Sequence, residues 1–198
     1  YRAGVIPAVV KLLGIALEMG NTNAGAGGSA EAAGPQGRRG DVLDAMTQCC
    51  GLLRNLLADP MGRPDIAVAV AQGGAIAALT PLLEQLPDDV PQALEIVVQA
   101  VSALNNLSLD ESCCSSIATD PHCLPVLAKL LITARQPRPE GTQQYWDEVT
   151  LQVVSLFANL VQYAAWRERV HATGGLRGLV ALLAWEAADT RVTAALCS

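Results

Sequence analysis

Two apolar signatures alternate along the chain, and any fold must satisfy both. The first runs from Gly4 to Leu13, Gly74 to Leu83, His122 to Leu131 and Gly174 to Leu183, each closing on a Leu-Leu pair. In every copy an aliphatic residue (Ile6, Ile76, Leu124, Leu176) stands six positions before that pair. Each copy reads as a short amphipathic helix, with Pro tolerated in its first turn. The second signature is a longer helical segment ending in Asn-Leu: Asn55-Leu56, Asn106-Leu107 and Asn159-Leu160. Counting back from each Asn, positions −9, −6, −5 and −2 and position +1 are almost all apolar. They hold Met46, Cys49, Cys50, Leu53 and Leu56, then Val97, Ala100, Val101, Leu104 and Leu107, then Thr150, Val153, Val154, Phe157 and Leu160. Spacings of three and four on one stripe predict a helix that buries one side.

A shorter piece precedes the Gly signature at Asp65 to Gln72, Cys113 to Thr119 and Trp166 to Ala172. The unit is thus three helices, short, medium and long, repeated along the chain. This pattern resembles the armadillo repeat, whose second helix carries Gly-x-Ile/Leu-Pro-x-Leu-Val-x-Leu-Leu and whose third carries Ala-Leu-x-Asn-Leu. Ser102-Ala103-Leu104-Asn105-Asn106-Leu107-Ser108 matches it most closely. The resemblance covers nearly the whole chain. It implies an all-α fold, a right-handed superhelical solenoid of three to four repeats at about 1–59, 60–110, 111–164 and 165–198, the last partial. It also implies a single domain cut from a longer array, with further repeats or subunits expected against both ends, because a solenoid's uncovered terminal faces are apolar.

The repeat starts lie further apart than the family's usual period of about 42 residues. In the first repeat the excess falls in Gly20 to Gly40, a stretch of Gly with Asn, Ser, Ala and Pro that predicts a flexible loop between second and third helices. Arg135 to Thr142 reads as a shorter insertion at the same place in the third repeat. The Gly-Gly-Ser within the first loop is no phosphate cradle, since no strand precedes it and no Lys-Ser/Thr closes it.

Opposite the core stripe of the third helices runs a polar one. Position −4 holds Gly51, Ser102 and Ser155; −7 holds Gln48, Gln99 and Gln152; −11 holds Asp44, Glu95 and Glu148. At about 100° per residue these share a face with Asn55, Asn106 and Asn159. In an armadillo solenoid the third helices line the concave groove, so the resemblance places this stripe where a partner binds. Amides offer a donor and an acceptor to a peptide backbone, and a carboxylate row attracts Lys and Arg. The expected partner is therefore a protein or an extended, basic-leaning peptide. The importin-alpha type of groove carries a Trp four residues before the Asn; Gly51, Ser102 and Ser155 stand there instead, so stacking of Lys stems on indole walls is not expected.

Composition narrows the function further. The net charge of −6 and the absence of a basic run longer than Arg38-Arg39 lack the electrostatic footprint of nucleic-acid binding. Apolar stretches break before the ~18 residues of a membrane span. Six Cys, in the adjacent pairs Cys49-Cys50 and Cys113-Cys114 plus Cys123 and Cys197, form neither a disulfide framework nor metal-ligand spacing. They point to a reducing intracellular compartment, the cytoplasm first and a ciliary or cytoskeletal setting second. His122 and His171 read as turn or surface residues with no nucleophile around them, and Trp146, Trp166 and Trp185 as packing residues near helix ends. Neither catalysis nor a cofactor or metal is expected. The reading is a non-enzymatic interaction scaffold; the alternative is a structural subunit fixed in a large ciliary or cytoskeletal assembly.

Overall fold

The computed structural model describes residues 4–25, 35–59, 63–86, 90–134, 136 and 138–184. Among these residues the fold is all-α, with no strand. The second-class helices are α1 (Val5–Gly25), α4 (Ala75–Gln85), α7 (Cys123–Thr133) and α10 (Gly175–Ala184). The long third-class helices are α2 (Pro35–Leu56), α5 (Pro91–Leu107) and α8 (Gln143–Gln162). The short first-class helices are α3 (Pro64–Gln72), α6 (Glu111–Thr119) and α9 (Ala164–Ala172), each starting a residue or two before the sequence pattern does. Pro in the first turn opens α3 and α5, where its missing N–H would be unpaired anyway.

Each helix packs on the one three elements along. The α1, α4, α7, α10 series forms one row of neighbours, α2, α5, α8 a second, and α3, α6, α9 a third. The expected core stripe is the buried one: Met46, Cys50 and Leu53 on α2, all five positions on α5, and all five on α8, Thr150 included. Cys49 and Leu56 are only half-buried. Both lie on α2. Thr150 is accommodated because its hydroxyl donates to the Trp146 carbonyl at 2.7 Å within the helix.

The turns between first and second helices explain the recurrent Gly. Gly74 and Gly174 take φ of 86° and 85°, a left-handed conformation that costs a side chain but not Gly. His122 stands at the same place with φ −106°. There the Asp120 carboxylate takes over, accepting from the His122 and Cys123 backbone N–H groups at 2.9 and 2.8 Å.

The expected loop from Gly20 to Gly40 is narrower than the sequence suggested, because α1 runs to Gly25 and α2 begins at Pro35. Residues 26–34 lie outside the described residues. Helix α1 continues past its Leu-Leu pair because Ala16 and Leu17 prolong the apolar face begun by Val9 and Leu13. The insertion of the third repeat is tied down where it is described. The Thr142 hydroxyl donates to the Pro139 carbonyl at 2.8 Å, and the Arg138 guanidinium lies over the Trp146 ring, 3.8 Å from its centroid. Trp185, Cys197 and the third helix of the fourth repeat fall outside the described residues.

Candidate functional site

The polar stripe follows the row of third-class helices, where α5 packs against α2 and against α8. Exposure grades along it. Asp44, Gln48 and Asn55 on α2 are exposed, whereas Glu95, Gln99 and Asn106 on α5 and Glu148, Gln152, Ser155 and Asn159 on α8 are half-buried. Gly51 is half-buried as well, and Ser102 is buried at 8% exposed.

On α5 and α8 the side chains are joined into a cross-helix network. Asn159 Nδ2 donates to Ser108 Oγ at 2.9 Å and to Asn105 Oδ1 at 3.3 Å. Asn105 Nδ2 donates to Gln152 Oε1 at 2.8 Å, and Gln152 Nε2 to Glu148 Oε1 at 2.7 Å. Ser108, the residue that ends α5, donates its hydroxyl to the Asn105 carbonyl at 2.6 Å. Every amide in this chain directs its donor toward the carboxylate of Glu148. The stripe as counted from the sequence lacked Asn105 and Ser108. The doubled Asn105-Asn106 was the available signal: adjacent helical residues point about 100° apart, so one Asn meets the neighbouring helix while the other stays on the face.

The remaining members are joined less or not at all. Asn55 Oδ1 accepts from the Arg54 guanidinium at 3.1 and 3.3 Å, and Asp44 accepts from Gln92 Nε2 of α5. Among the described residues the side chains of Asn106, Glu95 and Gln48 make no hydrogen bond. Gln99 Oε1 is buried and has no donor, and it faces the backbone of α2 across Gly51, where a Cβ would come within 4.0 Å. None of the three carboxylates pairs with a Lys, Arg or His among the described residues. The amide donors of Asn105, Gln152 and Asn159 are thus used internally, while Asn106 and Gln48 keep their amides open and the Glu95 carboxylate, the second oxygen of Glu148 and Asn159 Oδ1 remain as acceptors. Chemically, such a face takes hydrogen-bond donors and positive charge.

Elsewhere, burial raises the pKa of the described cysteine thiols. Burial pushes the Cys50, Cys114 and Cys123 thiols up to about 12 and that of Cys113 to about 11, so their thiolates are scarce near neutrality. The five described cysteines are free thiols. His122 and His171 are exposed. Trp146 is buried and Trp166 packs at the core margin. Among the described residues no three His, Cys, Asp or Glu side chains converge as a metal site, and no single helix is long and apolar enough to cross a membrane.

No family model matches the chain, nor does any curated protein or solved structure.

Proposed function

We propose that this chain is an armadillo-type superhelical solenoid acting as a non-enzymatic scaffold, with an extended, basic-leaning peptide or protein segment bound along the third-helix row. The observation that carries the reading is the row of carboxylates on that face with no cationic partner among the described residues, set beside open amides. A peptide backbone exchanges hydrogen bonds with the open amides of Gln48 and Asn106 and donates to Asn159 Oδ1, and Lys or Arg side chains supply charge to Asp44, Glu95 and Glu148. The packing of every helix on the third one along supports the solenoid. The protein works inside the cell in a reducing compartment, the cytoplasm, a setting supported by its buried free thiols.

The test is a panel of extended peptides of equal length, basic, neutral and acidic, titrated against the parent chain and an Asp44→Ala/Glu95→Ala/Glu148→Ala variant at low and high salt. Basic peptides should bind the parent best. The variant should associate more slowly and lose much of the salt dependence at equal melting temperature, since screening acts on the charged contribution. Identical binding by parent and variant at both salts would remove the stripe as the partner site.

One feature favours the second reading, a subunit fixed in a ciliary or cytoskeletal assembly. On α1, Val5, Leu12, Ile15 and Met19 are 40–54% exposed and recur at helical spacing as an apolar face. A permanent neighbour would cover it. Replacing Leu12 and Ile15 with Glu should release the chain from such a complex and leave peptide binding unaltered.

A further inference from the structure

Helix α1 carries an apolar seam that the fold leaves open. Val5, Ala8, Leu12, Ile15 and Met19 follow one another at spacings of three and four and are all exposed, Leu12 reaching 54%. That spacing is the heptad pattern by which one helix packs along another. Inside the chain the same face is covered wherever a second-class helix precedes it. The counterparts of Val5 and Leu12 are Ala75 and Leu82 on α4 and Cys123 and Leu130 on α7. All four are 7% exposed or less, and α4 packs on α1 as α7 packs on α4. An open stripe whose counterparts are buried marks an interaction face.

The flanks of the seam say what covers it. On one flank Val9 and Ala16 are buried in the chain's own core at 6% and 7% exposed, so that side offers no charge. The other flank carries Lys11 and Glu18, both exposed and neither in an ion pair among the described residues. Opposite charges one heptad apart on a single flank are self-complementary when two copies of the helix run antiparallel, because the same flank of each then meets. With Leu12 set against the second copy's Ile15, and Ala8 against its Met19, Lys11 of each copy faces Glu18 of the other. A slip of seven residues would bring Lys11 against Lys11 or Glu18 against Glu18, so charge fixes the register. A parallel pair would set each charge against the other copy's buried flank and use neither.

We propose that α1 is a homodimer interface, in which two copies of this chain pair antiparallel about a two-fold axis, seam against seam, with Lys11 and Glu18 closing the edge. Two-fold dimers are the commonest soluble assembly, and a self-complementary patch is their requirement. A head-to-tail contact would instead set α1 on the far end of the next copy, leave Lys11 and Glu18 without each other, and propagate beyond two. The seam is separate from the polar stripe on α2, α5 and α8, and the proposal gives the α1 face a second copy in place of a foreign subunit.

The test is the solution mass of the full chain, by sedimentation equilibrium from micromolar to near-millimolar concentration. The parent should reach twice the monomer mass and stop there. Lys11→Glu and Glu18→Lys, both at exposed positions, should each weaken dimerisation roughly tenfold, since either one turns both ion pairs into like-charge pairs. Mixed in equal amounts, the two variants should dimerise with each other as tightly as the parent does with itself, because each supplies the charge the other lacks. Equal melting temperatures and helical circular dichroism show that the fold is kept. A parent that stays monomeric at near-millimolar concentration would overturn the proposal and return the α1 face to a foreign subunit. Masses growing past two copies, single variants that dimerise like the parent, or a mixture that fails to recover would overturn it as well. Peptide titrations read the stripe separately, so either reading can fail while the other stands.

Discussion

Asn106 and Asn159 hold the same place in successive repeats, yet their amides do different things. Asn159 donates to Ser108 and Asn105 across the helix boundary, while Asn106 makes no hydrogen bond among the described residues. Asn159→Ala should therefore destabilise the chain by about 1–3 kcal/mol, the loss of two neutral hydrogen bonds. Asn106→Ala should stay within about 0.5 kcal/mol of the parent and act on peptide dissociation alone. Paired urea titrations and dissociation rates separate the two; equal stability losses would mean that both Asn are structural. The buried thiols give a second test. Their folded pKa values are raised by burial, so the native state holds its protons after the unfolded chain begins to lose them near pH 9. The contribution is fully present below that pH and is lost as pH rises toward 12, at up to about 1.4 kcal/mol per pH unit per thiol. Thermal melts from pH 8 to 11 should show stability falling, and falling less steeply in Cys123→Ala than in the parent.

At the scale of one element, α6 shows how a nine-residue helix is held. Its N-cap Asp110 accepts from the Ser112 and Cys113 backbone N–H groups at 3.0 and 3.1 Å. The Ser112 hydroxyl also donates to it and, with those N–H groups, holds the carboxyl below the usual carboxylate range. Isolated helices this short are marginal in water, so the cap and the burial of Cys113, Cys114 and Ile117 decide whether α6 forms. Asp110→Ala should cost about 0.5–2 kcal/mol at neutral pH. Because the folded pKa is lowered, that contribution is present above the unfolded value near 3.9 and lost as pH falls through the folded one. Parent and variant should converge in stability in acid; a gap that persists unchanged at low pH would point to a packing effect instead.

Across the whole molecule, one apolar core runs without interruption from Ile6 on α1 to Val170 on α9. The helices bury one another's apolar faces, so short elements such as α6 and α9 are stable chiefly through their contacts. Leu104 is fully buried in α5, the helix with third-class neighbours on both sides. Leu104→Ala should cost about 2–5 kcal/mol. The loss should lower the denaturation midpoint equally by far-ultraviolet circular dichroism and by fluorescence of Trp146 and Trp166, three helices or more along the chain. A shift in one signal alone would show that the repeats unfold separately.

Helical class, the short, medium and long order of elements and the buried stripe were legible from the residues, since apolar spacing of three and four is a local property of a helix. Met46, Leu104 and Phe157 were placed in the core by that period and lie there. Local, too, was the Gly that opens the second helices, although only the backbone showed that Asp120 replaces it before Cys123. The extent of α1 and α2 into the expected Gly-rich loop was less legible, because Gly lowers helix propensity by about 1 kcal/mol per residue and so reads as loop. Tertiary structure alone decided which polar groups on the stripe are taken and which stay open. Asn105 meets Gln152 and Asn159 meets Asn105 across 47 and 54 residues of sequence, and such pairings depend on the relative rotation of two packed helices, which no spacing within either one encodes. The same holds for Trp146, a packing residue by sequence, whose buried indole N–H meets no acceptor among the described residues.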